Sequence, residues 1–459
     1  MNIIILGAGQ VGSSVARELA RDDFNEITVV DVSQPVLDEL QERMDIRTVR
    51  GNGSYPSVLE QAGIDDADLL IALTNSDEIN MVACQVAWTL FNTPLRVARI
   101  RSQDYMQRRE LFHEEDGVPV SVTISPENLV TEYIHHLIEH PSALQVLDFA
   151  GGRVQLVAVR AYADGPLVGH PLRDIRRHIP GIDVRVAAIF RGGQAVAAEA
   201  DTVIEPDDEV FFIAARKHIS RVIAELRRLD KPIRKVMLAG GGSIGGQLAA
   251  LLERRYQVKV IEMSPERADE LSRELNNTLV LQGDAANPDL LEEENIEAMD
   301  VFCALTNDDE ANILSAMLAK RMGARKAMSL INRPAYVDLV ESDMIDIAVS
   351  PHQVTIGAML ANIRRGDVVA VHALRRGSAE AIEAVAHGTR KDSKVVGRRL
   401  DELKLPRGSV IGAIVRGEQV LIAHHDTVIE PDDHVIIFLT DKRQVHEVEK
   451  LFQPKATFL

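Results

Sequence analysis

Cysteine is almost missing from this chain. Cys84 and Cys303 are the two in 459 residues, and they do not occupy matching places in the internal repeat described below. Neither a disulfide framework nor a cysteine-based zinc site is supported. Long hydrophobic runs are missing as well: no uninterrupted apolar stretch approaches the ~20 residues of a bilayer-spanning helix. The chain is not expected to cross a membrane, although 46% hydrophobic content is ample for sizeable cores. Positive charge is in deficit, with a formal net charge of −18 and no dense Lys/Arg patch to offset it. That balance argues against a nucleic-acid partner, because phosphate binding rests on basic surface. The opening "MNIIILGAGQ" lacks a basic n-region and a small-residue cleavage site, so a mature cytosolic protein is expected.

Catalytic signatures are equally scarce. No GxxxxGK[ST] loop occurs, which removes P-loop ATP hydrolysis. None of Tyr55, Tyr105, Tyr133, Tyr162, Tyr256 and Tyr336 has a lysine four residues on, so the short-chain dehydrogenase signature is absent. One pattern does stand out. His136-Leu137-Ile138-Glu139-His140 matches the HxxEH of inverted zinc peptidases, with imidazoles at i and i+4 able to share a metal. Pro141 follows at once, and a solvated histidine-rich helix end is the preferred reading.

What the chain does have is a repeat. "IALTNSDEIN" at 71–80 returns as "CALTNDDEAN" at 303–312, with Ala72, Leu73, Thr74, Asn75, Asp77, Glu78 and Asn80 matched 232 residues later. "DTVIEPDD" at 201–208 recurs unchanged at 426–433. Gly7, Gly9 and Gly12 answer Gly240, Gly242 and Gly245. Such self-similarity decides the architecture before any local pattern does. The chain is a tandem duplication, each half holding two modules.

In the first module of each half, apolar runs such as "NIIIL", "EITVVD" and "ADLLIALTN" alternate with helical pattern. Strand and helix in alternation mean an α/β, doubly wound parallel sheet of Rossmann type. The second module has short strands between turn residues and helices at its edge, which predicts a small α+β unit. The expected modules are 1–135, 136–230, 231–355 and 356–459, with "RRLDKPIRK" at 227–235 as the seam. "EPDD" fits a tight turn with Pro206 second, and a calcium loop is disfavoured by the missing glycine and distal glutamate.

Gly7-Ala8-Gly9-Gln10-Val11-Gly12 follows a predicted strand and opens a predicted helix. The first glycine allows the turn, the second lets backbone approach a pyrophosphate, and the third lets helix and sheet pack closely. Asp31 ends the next strand, where a carboxylate accepts from adenosine ribose hydroxyls. The combination points to an adenine nucleotide, and the acid favours NAD over NADP. The second copy is Gly240-Gly241-Gly242-Ser243-Ile244-Gly245 with Glu262. It is either a second site or a duplicated domain that kept its folding glycines and lost its ligand.

Thr74-Asn75 and Thr306-Asn307 lie beyond the fourth strand, where open α/β sheets bind ligands, so their polar groups are candidates for ribose or phosphate. Asp77, Glu78 and Asn80 begin the next helix, where acids suit the positive end of the dipole. Arg99 and Arg101, two apart on the following strand, share a face, and one could neutralise pyrophosphate. A surface salt bridge is the alternative.

GAGQVG with Asp31, the repeated ALTNxDExN and the four-module order resemble the RCK (KTN) family, in the tandem form of Trk-type peripheral potassium-uptake subunits. The resemblance covers essentially the whole chain. It implies two RCK N-lobes, each followed by a C-lobe, and a ring that four chains would complete as a homotetramer. It further implies NAD or NADH, with ATP or ADP in some relatives, on the N-lobes, and a TrkH/TrkG-type membrane channel or transporter as partner. Such a subunit sits on the cytoplasmic face and regulates without turnover. Glu262 in place of Asp, and Asn332 at the position of Arg101, depart from the first half. An NAD-dependent oxidoreductase with an unidentified small substrate is the competing class.

Overall fold

The computed structural model describes residues 1–21, 25–113, 116–226, 232–340, 345–363, 368–374 and 379–453. Residues 227–231 of the expected seam lie outside these. The chain divides into two compact units, one of Met1–Val130 with Val354–Met359, the other of Thr131–Gln353 with Leu360–Leu459.

The first unit is built on β1 (Asn2–Leu6), α1 (Gln10–Leu19), β2 (Glu26–Asp31), α2 (Gln34–Arg43), β3 (Arg47–Arg50), α3 (Pro56–Ala62), β4 (Leu69–Ala72), α4 (Asp77–Phe91), β5 (Leu95–Arg99), α5 (Gln103–Met106) and β6 (Val122–Ile124). Helices cover both faces of the central strands, so β1 and β4 are continuous apolar runs rather than alternating ones. All pairings are parallel, in the order β3-β2-β1-β4-β5-β6. This is the doubly wound order that places a crevice where the chain reverses direction between β1 and β4. The sixth strand was not expected; at three residues it is too short to show a period.

Helix α6 (Pro126–Glu139) leads into the second unit. Its first sheet contains β7 (Ala143–Phe149), β8 (Val154–Arg160), β9 (Val184–Arg191), β10 (Gln194–Val196) and β11 (Glu209–Ala215), with α7 (Ile175–His178) and α8 (Ile219–Ile223) beside it. The parallel design then returns as β12 (Lys235–Ala239), α9 (Ser243–Leu252), β13 (Gln257–Glu262), α10 (Pro265–Glu274), β14 (Thr278–Gln282), α11 (Pro288–Glu293), β15 (Val301–Ala304), α12 (Asp309–Arg321), β16 (Lys326–Leu330), α13 (Pro334–Val340) and β17 (Ile347–Val349). Its order, β14-β13-β12-β15-β16-β17, copies the first sheet. After α14 (Pro351–Ile363) come β18 (Val368–Leu374), β19 (Ala379–Ala386), β20 (Ser409–Arg416), β21 (Gln419–Ile422), β22 (Asp433–Leu439) and α15 (Val445–Phe452).

The two small sheets, antiparallel as β10-β9-β11-β8-β7 and β18-β19-β22-β20-β21, share one core. Phe149, Phe190 and Phe211 of the first meet Leu374, Ile422 and Phe438 of the second, with Phe211 and Phe438 rings 6.0 Å apart. Gln145 Nε2 donates to Ala373 O (3.0 Å), and the Ala150 N–H donates to the buried Glu383 carboxylate (2.8 Å). Two copies tethered in one chain meet at high effective concentration, so duplication favours this pairing. Strand β7, which escaped the sequence reading, lies at this contact.

His372 is half-buried there, edge-on to Phe149 and within 3.2 Å of Asp148 O. Burial holds its pKa below the ordinary 6.5, outweighing the nearby Asp148 and Glu383. A depressed histidine pKa means that the folded state binds fewer protons than the unfolded one. The neutral ring is therefore accommodated above about pH 6.5, and stability is lost as pH falls from there towards the folded-state value. Thermal unfolding at pH 8 and pH 5.5 should show a smaller acid-induced drop for His372→Gln than for the parent chain.

The repeated "DTVIEPDD" is a structural clasp. Asp207 and Asp432 take positive φ (69° and 63°), as the third position of a type II turn requires. Asp208 is fully buried; it receives the Arg191 guanidinium on both oxygens (2.8 Å each) and the Glu205 N–H. Arg416, Asp433 and Glu430 repeat the arrangement. The carboxylates are thus committed, in keeping with the disfavoured calcium reading.

Candidate functional site

The two glycine loops sit at the carboxyl ends of β1 and β12, each opening a helix. Gly7 has φ +97° and Gly240 φ +100°, and a Cβ on Gly7 would lie 2.9 Å from Leu73 O. That close approach brings the glycine loop against Leu73-Thr74, and Gly240 likewise abuts Leu305-Thr306. A Cβ on Gly12 or Gly245 would fall 1.9 Å from the Gly7 or Gly240 carbonyl, so helix packing forbids a side chain there. The middle glycines differ. Gly9 (φ −66°) and Gly242 (φ −65°) have ordinary backbone angles, and nothing lies within 4 Å of an added Cβ. Neither the turn nor the packing needs a glycine at those two positions. The backbone there is open to close approach from outside the loop.

Gln10 and Ser243 are exposed, Val11 and Ile244 half-buried, at the first turns of α1 and α9. No side chain caps either helix, whereas Ser76 caps α4, Ser264 caps α10 and Asp308 caps α12. The first N–H groups of α1 and α9 and their positive dipole ends suit an anion.

Asp31 holds the loop. The Ala8 N–H donates to its Oδ2 (2.7 Å) and the Ser33 N–H to its Oδ1 (2.8 Å). Glu262 does the same for Gly241 (2.7 Å) and Ser264 (2.8 Å), while Leu271 Cδ1 fills the space where a Cβ on Gly241 would stand. A carboxylate offers about four acceptor positions, so roughly two remain on each acid for ribose hydroxyls. Glu262 therefore has a folding role besides any ligand role.

The ALTNxDExN loop proves to be wiring. Asn80, fully buried, accepts from the Thr74 N–H (3.0 Å) and hydroxyl (2.7 Å) and donates to Arg99 O (2.9 Å). Asn312 repeats this with Thr306 and Leu330 O. Buried Asp77 accepts from the N–H groups of Arg101 and Ser102, and Asp309 from those of Asn332 and Arg333. Helix capping, expected of these acids, belongs instead to Ser76 and Asp308, because Asp77 and Asp309 point across to the next strand's end. Thr74 and Thr306 thus already share their hydroxyls with Asn80 and Asn312, while the side chains of Asn75 and Asn307 are exposed.

Arg99 and Arg101 part company. Arg99 ends β5 and pairs with Glu127 (2.8 Å), both side chains largely buried. Arg101 lies past the strand, exposed, and donates to Asn75 O (3.1 Å) across the loop that abuts the glycines. Two cations escaped the sequence reading. Arg50 stands opposite Asp31 at the end of β3 and reaches Val32 O (3.3 Å); Arg267 on α10 donates to Gly241 O (3.0 Å). Strand register could have pointed to Arg50, but only packing shows Arg267.

His136 Nε2 lies 3.3 Å from Asp148, while Glu139 faces Arg216 and Arg255, so the HxxEH side chains do not converge on a common point. Among the described residues no group of three or more His, Cys, Asp or Glu could hold a metal ion. Both thiols are buried, which pushes their pKa up to about 12 and leaves them as packing groups. No helix among the described residues is long and apolar enough to cross a membrane.

Family models match this architecture twice over: the TrkA-N domain at residues 3–126 and 236–351, and the TrkA-C domain at 156–227 and 389–453. The Trk system potassium uptake protein TrkA of Halomonas elongata is 60% identical over 458 residues, covering 100% of both chains. Those of Vibrio alginolyticus (58%) and Haemophilus influenzae (51%) also cover 100% of both chains. Among solved structures, the GsuK RCK domain aligns with TM-score 0.62 at 18% identity, covering 98% of this chain and 94% of that one, and shows a common fold. The GsuK channel bound to NAD aligns with TM-score 0.61 at 18% identity, over 98% of this chain and 78% of that one. The duplicated glycine-loop modules, the paired small sheets and the full-length identity together place the chain in the TrkA family of the Trk potassium-uptake system.

Proposed function

We propose that this chain is a regulatory subunit that binds NAD(H), with ATP or ADP as competing adenine nucleotides, and gates a TrkH/TrkG-type membrane potassium channel or transporter without turnover. The observation that carries nucleotide binding is the open space at Gly9 and Gly242, where neither turn nor packing asks for glycine. The bound group supplies a pyrophosphate anion and an adenosine ribose. The N-terminal N–H groups of α1 and α9 would hold the phosphates, and Asp31 and Glu262 the ribose hydroxyls through their remaining acceptor positions. Arg101, rather than the Glu127-bound Arg99, is the cation free to turn towards phosphate in the first half. Gly7, Ala8, Gln10, Val11 and Gly12, and in the second half Gly240, Gly241, Ser243, Ile244 and Gly245, shape the loops. Thr74, Asn75, Thr306 and Asn307 form the wall beside them.

The division into modules at 1–135, 136–230, 231–355 and 356–459, the homotetrameric ring and a peripheral position on the inner membrane face belong to the same reading. A nucleotide can shift such a ring only by binding two of its states unequally, and no catalytic base is needed for that. Calorimetry on the full chain should give two NADH sites, with Glu262→Ala removing one and Asp31→Ala the other. Light scattering should give the mass of four chains; a single-chain mass at every concentration would sink the ring. Substrate-dependent loss of NADH absorbance in cell extract would favour the oxidoreductase instead.

A further inference from the structure

The two loops hold their second residue differently. In the first, the Ala8 N–H goes to Asp31 and the Ala8 carbonyl accepts from Ser13 Oγ (2.6 Å), a group on the same helix. In the second, Gly246 stands where Ser13 would be, and the Gly241 carbonyl accepts instead from Arg267 Nε (3.0 Å). Arg267 occupies the place of Val36, five residues after the acid in each half. The exchange is concerted: a Cβ on Gly246 would lie 3.2 Å from Arg267 Nη2, so losing the serine makes room for the guanidinium. Glu262 and Arg267 thus grip the N–H and the carbonyl of one residue, bringing a cation to the same loop as the acid.

A serine suffices to hold a carbonyl; an arginine adds charge and further donors. Its other partners, Glu270 (2.9 Å) and Glu274 (3.4 Å), are themselves more than half exposed, and Glu266 is turned to Ser264 Oγ. Exposed ion pairs of this kind are weak and exchange readily for a better anion. In the first loop the corresponding cation is lacking: Val36 is aliphatic, and Arg50 lies on the neighbouring strand, bound to Val32 O rather than to the loop. An acid alone at this place rejects a 2′-phosphate, whereas a nearby arginine accommodates one.

We propose that the second loop accepts an adenine dinucleotide bearing a phosphate on its ribose 2′ position, NADP or NADPH, with Arg267 as the specificity-determining residue, while the first loop discriminates against it. This rests on both loops being dinucleotide sites.

The test uses the full chain with one loop blocked. In Gly9→Val, only the second loop is read: NADPH and NADH should bind with Kd values within about tenfold of each other, and added Arg267→Val should weaken NADPH relative to NADH by about tenfold or more. Valine is what the first half carries there, so the fold tolerates it; Arg267→Lys should restore part of the difference. In Gly242→Val, NADPH should bind the first loop at least about tenfold more weakly than NADH. An NADPH/NADH ratio unmoved by Arg267→Val would overturn the inference and leave Arg267 as a carbonyl clasp. NADH binding without NADPH binding at the second loop would overturn it too, leaving the dinucleotide reading intact. Absence of NADH binding in Gly9→Val would remove that reading for the second loop and the inference with it.

Discussion

Gly9→Val should abolish nucleotide binding at the first loop, weakening it by about 100-fold or more, and leave the thermal midpoint near that of the parent chain. The backbone at Gly9 (φ −66°, ψ −174°) is open to any residue, and the added side chain meets nothing within 4 Å of its Cβ. What valine would displace is therefore the proposed nucleotide rather than protein. Gly12→Ala is the contrasting case. Its methyl would fall 1.9 Å from the Gly7 carbonyl, so helix and strand must separate and both binding and stability should fall. Calorimetry with NADH beside thermal unfolding separates the two outcomes. A Gly9→Val chain that binds NADH at both loops would mean that the phosphates do not pass this backbone.

Asp208→Ala should destabilise the second unit by about 2–4 kcal/mol. Asp208 is fully buried and takes two hydrogen bonds from Arg191 and one from the Glu205 N–H, so truncation strands three donors. Arg191 is 36% exposed and can turn to water, which keeps the loss below that of a sealed ion pair. Asp433→Ala should act similarly through Arg416. Because the two small sheets share one core, either change should lower the same denaturant-induced transition rather than split it. Two separate transitions would show that the sheets unfold independently.

The parallel architecture was legible because its signals are local. A strand such as "NIIIL", a glycine turn and an amphipathic helix each declare themselves within a dozen residues, and the repeat states the pattern twice. The three-residue strands Val122–Ile124 and Ile347–Val349 were not legible, because a segment so short shows no period and is held by its neighbours β5 and β16. The first acid of ALTNxDExN escaped its full reading for a related reason, while Glu78 and Glu310 stand in the first helical turn as expected. Asp77 follows the helix-start pattern, yet its carboxylate accepts from residues 101 and 102, at the end of another strand.

The sequence by itself determined the duplication, the doubly wound modules, the two glycine loops and the acid that follows each. All of these are set by backbone preferences and spacings along a short stretch of chain. Only the tertiary structure decided what each polar group does with its partners. It showed Asn80 bridging two strand ends, Asp208 clasping Arg191, the small sheets sharing a core, and Arg267 taking over the carbonyl that Ser13 holds in the first half. These are hydrogen bonds and contacts between residues distant in sequence or on different elements. Their geometry follows from how elements pack, which no spacing along the chain encodes.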